Sequence, residues 1–117
     1  MPRVLSILRV TVSSSRRKGA LDLLNFITGP MCNLPGCTSC QAYEDLHNPN
    51  RLTLVEEWES LEDLEKHIGT DDYRKKLSIM DLSTQPPEIL FHTVSETRGM
   101  DLITAVRDRG KSKELVK

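Results

Sequence analysis

The feature that most constrains this chain is a change of period at Ser60. From Arg51 to Glu59 the residues alternate, with Leu52, Leu54, Glu56 and Trp58 on one side and Thr53, Val55, Glu57 and Glu59 on the other. Past Ser60, the apolar residues Leu61, Leu64 and Ile68 recur at helical spacing. Ser60 and Asp63 have the spacing of a capping box, so the corner between strand and helix is set locally. The chain's only tryptophan, Trp58, ends the strand, and His67 falls on the rim of the helix stripe. Strand ends and helix rims are where a pocket meets solvent. Trp58, His67 and, one step later, Tyr73 are therefore the leading site candidates.

The remaining elements arrange themselves around this corner. Val4 to Ser13 reads as a first strand that is largely apolar on both faces, with Leu8, Val10 and Val12 opposite Leu5, Ile7 and Thr11. Arg16 to about Thr28 reads as a helix with the stripe Ala20, Leu23, Leu24 and Ile27, stopped by Gly29-Pro30. Pro35-Gly36 is a turn, Cys37 to Asp45 a second strand, and His47-Asn48-Pro49-Asn50 the hairpin turn into the third. The second helix breaks near Gly69-Thr70 and resumes from Asp71 through Met80, with Tyr73 and Leu77 predicted to point inward. Pro86-Pro87 ends it, and Glu88 to Val94 is a fourth strand. A short helix over Gly99 to Arg107, with Leu102, Ile103 and Val106 facing in, precedes a charged tail expected to be solvated. The order β-α-β-β-α-β is that of an α+β, ferredoxin-like fold: a four-stranded antiparallel sheet with both helices on one face. That leaves an apolar face open, and a second copy packed face to face is the expected cover. One domain spanning 1–96 and an extension over 97–117 follow.

Composition narrows the function. A net charge of -1 argues against a nucleic-acid partner, and no apolar run is long enough for a membrane span. The N-terminal apolar run is broken by Ser6 and Arg9 and reads as a strand, not a signal peptide, which points to a cytoplasmic protein. The three cysteines, Cys32, Cys37 and Cys40, are an odd count, against a disulfide framework. With His47 they invite a zinc reading. However, Cys37 and Cys40 lie an odd number apart on a strand and are predicted to face opposite ways, so no metal is expected.

The segments Pro35-Gly36-Cys37, Glu57-Trp58-Glu59-Ser60, Leu64-Glu65-Lys66-His67 and Asp72-Tyr73, in this order, resemble the antibiotic biosynthesis monooxygenase family. These are dimeric α+β barrels, and the resemblance, to the small quinol monooxygenases, covers roughly Val4 to Val94. It implies oxidation of a quinol or polycyclic phenol by molecular oxygen without a cofactor. The protein then supplies a base or proton shuttle, donors for an oxyanion and a dry pocket. His67 suits the shuttle, Trp58 the pocket floor and an indole donor, and Tyr73 a phenolic donor. Tyr43, Glu56 and His92 are the candidates for the ligand-binding wall. Glu56, on an apolar face, requires a partner, with Arg9 the candidate, or an exposed edge; it is also a second candidate base. The haem-degrading branch of the family carries an Asn and a proximal His where this chain has Leu8 and Leu77, so haem is not expected. The bland readings stand beside these: Trp58 as a core anchor, His67 as a capping side chain, His92 and Tyr43 as interface residues. The alternative function is a non-catalytic module that binds a small molecule or a partner, and a third is redox-linked cysteine chemistry.

Overall fold

The computed structural model describes residues 2–31 and 33–116. Strands β1 (Arg3–Thr11), β2 (Cys37–Glu44), β3 (Arg51–Trp58) and β4 (Glu88–Val94) form one antiparallel sheet in the order β2-β3-β1-β4. Helix α1 (Arg17–Met31) links β1 to β2. Helix α2 (Leu61–Ile68), a 3-10 turn (Asp71–Tyr73) and α3 (Arg74–Asp81) link β3 to β4, and α4 (Met100–Val116) follows β4. The central strand β1 pairs with both β3 and β4, giving the expected α+β, ferredoxin-like topology.

Register fixes which residues share a face. Val4 pairs with Trp58, Ser6 with Glu56, Leu8 with Leu54 and Val10 with Leu52, and all eight are buried. This face receives Ala20, Leu24, Ile27 and Met31 of α1, Leu64 of α2 and Ile79 of α3. The other face carries Leu5, Ile7 and Val55 half-buried, with Leu90, His92 and Tyr43 exposed, and no helix among the described residues covers it.

Several expectations shift. Helix α1 runs through the predicted stop to Met31, with Pro30 inside its last turn, because Met31 is buried in the core at that position. Leu23 is only partly buried. On α2 the buried pair is Leu64 and His67, whereas Leu61 and Ile68 are more than a third exposed. The 3-10 turn before α3 rotates the following helix, so Lys76 and Ile79 point inward and Leu77 is 47% exposed. A β-bulge between Cys37 and Ser39 resets the phase of β2, and Cys37 and Cys40 are both buried on the helix side, not on opposite faces. Cys32 lies outside the described residues. Helix α4 is longer than expected, and Leu102, Ile103 and Val106 are about half exposed along it.

Candidate active site

The site is built at the corner. Ser60 accepts a hydrogen bond from the Asp63 backbone N–H at 3.1 Å and donates to Asp63 Oδ2 at 2.9 Å, which fixes the start of α2 directly after Trp58. Gly36, at φ 85°, packs its turn against this cap; a Cβ there would lie 2.5 Å from the Asp63 side chain. One turn and a half along α2, His67 lies over Trp58, the two rings stacked with centroids 4.9 Å apart. Tyr73 meets the same imidazole edge-on at 5.6 Å.

Beneath the rings runs a buried polar chain. Trp58 donates its indole N–H to Glu56 Oε1 at 2.9 Å. The other carboxylate oxygen, Oε2, lies 2.6 Å from Lys76 Nζ, and both side chains are nearly inaccessible, at 2% and 4%. Lys76 Nζ is in turn 2.7 Å from His67 Nε2 and 5.1 Å from the Tyr73 ring centroid. Glu56 therefore has its partner, but it is Lys76. Arg9 is engaged elsewhere, with Glu88 at 3.1 Å. A buried carboxylate with both oxygens engaged and an ammonium at hydrogen-bond distance is the arrangement in which an interior ion pair survives its desolvation.

Burial pulls the His67 pKa below its ordinary value, and the adjacent Lys76 charge lowers it further, against opposing pulls from Glu56 and Asp72. Burial likewise lowers that of Lys76, opposed chiefly by Glu56. Tyr73 is raised, by burial first and by the Glu56 charge second. His67 and Tyr73 are thus held neutral at ordinary pH.

Two hollows meet His67. An open cleft of about 360 Å³ is lined by Leu34, Pro35, Trp58, Asp63, Lys66 and Thr70 besides His67. A small cavity of about 30 Å³ lies between α1 and α3, with Lys76 and Ile27 among its lining. An apolar-walled cleft with one aromatic floor and a few polar groups suits a planar ligand with a hydroxyl.

The antibiotic biosynthesis monooxygenase family model matches residues 3–76. The chain belongs to that family. No curated protein sequence matches it. Among solved structures it is similar to a protein of Deinococcus radiodurans assigned to the antibiotic biosynthesis monooxygenases, with 20% identity and a TM-score of 0.75 over 82% of this chain and 96% of that one. It is also similar to a Mycobacterium tuberculosis protein, with 23% identity and a TM-score of 0.74 over 83% and 99%. A conserved Methanosarcina mazei protein has 21% identity and a TM-score of 0.73 over 80% and 93%. At these identities the structures support the fold alone.

Of the site candidates that the sequence offers, Trp58, His67, Tyr73 and Glu56 come together. Tyr43 and His92 do not: both lie on the open face of the sheet, where Tyr43 donates to Gln41 Oε1 at 2.8 Å and His92 pairs in register with Leu5. The residue that sequence reasoning misses is Lys76. Its signal is present, since a carboxylate on a buried strand face demands a cation. The run Arg74-Lys75-Lys76 hides it by reading as a solvated patch. Among the described residues, no group of three or more His, Cys, Asp or Glu is placed to hold a metal ion, and no helix is long and apolar enough to cross a membrane.

Proposed function

We propose that the protein is a cofactor-independent monooxygenase that oxidises a quinol or polycyclic phenol with molecular oxygen in the cleft beside His67 and Trp58. The observation that carries this reading is the buried Glu56–Lys76–His67 chain, ending at a neutral imidazole that lines an aromatic-floored cleft. In such a reaction the ligand's hydroxyl is deprotonated and the electron-rich anion reduces oxygen itself. One oxygen atom enters the ring carbon and the other leaves as water, with all electrons supplied by the substrate. The protein's part is to hold the ring, stabilise the anion and keep water from the reactive carbon. Trp58 serves as floor only: its N–H is engaged by Glu56, so it has no hydrogen bond to offer the ligand. His67 is the group that meets the ligand's oxygen, and Lys66 and Thr70 border the mouth.

The same reading includes a homodimer. The uncovered sheet face, with Leu5, Ile7, Val55 and Leu90, suits a second copy packed against it, and a barrel closed in this way shields the sheet without covering the cleft side.

The test uses Trp58, the chain's only tryptophan, as reporter. Anaerobic addition of a hydroxylated anthracene or naphthoquinol quenches its fluorescence saturably, and admission of labelled oxygen then places one label atom in the quinone product. Saturable quenching with no label in any product supports the non-catalytic binding module instead.

A further inference from the structure

We propose that Lys76 is a positioning residue for His67: backed by Glu56, it holds the ring as one neutral tautomer with its proton on Nδ1, so that the cleft takes a hydroxy-aromatic ligand as its anion. This deepens the reading of the cleft as a ligand site and rests on it.

Two nitrogens decide the proton's place. Lys76 Nζ and His67 Nε2 are 2.7 Å apart, and at that distance one must donate and the other accept. An ammonium has no lone pair, so a charged Lys76 makes Nε2 the acceptor and leaves the ring proton on Nδ1. The reverse assignment, a neutral amine accepting from Nε2–H, leaves the Glu56 carboxylate 2% exposed and without a counter-charge, although it sits 2.6 Å from that amine. A doubly protonated imidazole is excluded by the ammonium at its Nε2. The charged pair with a neutral ring satisfies all three groups and keeps the shared proton on the more basic nitrogen, since an ammonium ordinarily titrates near 10.5 and an imidazole near 6.5.

The surroundings bear on the same point. Glu56 and Trp58 approach from β3, Cys37 and Cys40 from β2, Asp63 and Lys66 from α2, Asp72 and Tyr73 from the 3-10 turn, and Lys75 from α3. Glu56 and Asp72 favour a charged imidazole, but burial and Lys76 outweigh them. Lys76 lines the small cavity and not the cleft. Its hold on Nε2 therefore leaves the other nitrogen as the polar atom of the ring available to a cleft ligand. That nitrogen carries a proton. A phenolic oxygen that reaches it meets a donor and not a base, and a donor binds phenolate more tightly than phenol. His67 thus acts by stabilising the oxyanion, and the hydroxyl proton leaves to solvent.

The experiment is a pH series of imidazole nitrogen spectra on the full chain. The chain has three histidines, and His67→Ala assigns the signals. The expected result is His67 in the Nδ1–H form, with no titration near the ordinary value of 6.5. A ring protonated at Nε2, or one that titrates at the ordinary value, overturns the proposal. A second arm uses 4-nitrophenol, whose anion absorbs visibly. The wild type binds the anion about tenfold or more tighter than the neutral phenol, equivalent to one pH unit of acidification, and Glu56→Gln/Lys76→Met loses this preference. Equal affinity for the two forms in the wild type overturns it. Should the double variant not fold, the wild-type spectrum and titration decide alone. Oxygen uptake enters neither arm, so failure of the oxygenase reading and failure of this one are separable.

Discussion

At the scale of the residue, the interior of this protein is governed by one ion pair. Glu56 and Lys76 are both almost fully buried, and each has the other as its only opposite charge within ion-pair distance among the described residues. Removing one partner strands the other. Lys76→Met is expected to lower stability by about 3–5 kcal/mol, and Glu56→Gln/Lys76→Met by clearly less, because the second change removes the stranded carboxylate. Urea denaturation of both variants measures the difference; a single variant as stable as the wild type contradicts the pairing. His67 adds a pH dependence whose sign follows from its depressed pKa. The unfolded chain takes up a proton near pH 6.5 and the folded chain only at lower pH. Between those two values the unfolded state binds more protons, so stability is full above 6.5 and declines as pH falls through the window. Thermal melts of the wild type show this decline, and His67→Gln flattens it.

At the scale of the element, the strand-to-helix corner is held by its own hydrogen bonds, and it is readable from the chain alone. The alternation of β3, the switch at Ser60 and the capping box with Asp63 all appear where the pattern places them, because each depends on residues within a few positions. Gly36 supports that corner from the preceding turn. Gly36→Ala forces a Cβ into the Asp63 side chain at a positive φ, and is expected to lose about 1–3 kcal/mol and to loosen the cap. Hydrogen exchange at the Asp63 amide, faster in the variant, checks it. What the sequence conceals are phase changes. The bulge at Cys37/Ser39 needs an extra residue against β3, which period alone does not reveal, and so both thiols turn inward against expectation. The 3-10 turn at Asp71–Tyr73 rotates α3 by part of a turn, exchanging Leu77 for Lys76 on the buried face. The site is legible as far as Trp58, His67, Tyr73 and Glu56. Lys76 is not, because a lysine in a basic run is recognised as interior only once the helix phase is known.

At the scale of the whole molecule, two apolar surfaces lack cover among the described residues of one chain. The open sheet face is broad and central. Helix α4, with Leu102, Ile103 and Val106 about half exposed, belongs to a molecule 59 Å long. A second copy is the proposed cover for the sheet face. Ile7→Asp or Leu90→Asp, set in the middle of that face and away from the cleft, is expected to convert a dimer to a folded monomer, read by sedimentation with circular dichroism as the control. A wild type that sediments as a monomer overturns the dimer and leaves the cleft untouched.

The proposed oxygenase stands or falls on oxygen consumption by metal-stripped protein over a panel of quinols and hydroxylated polycyclic aromatics, with His67→Ala beside the wild type. Uptake well above the spontaneous rate is expected for at least one ring system. In the variant it should be abolished or reduced by a factor of about a hundred or more, the size of effect seen when one oxyanion donor is removed. Uptake that is equal in the two proteins, or no greater than the spontaneous rate with every compound, contradicts a cofactor-free oxygenase acting through His67.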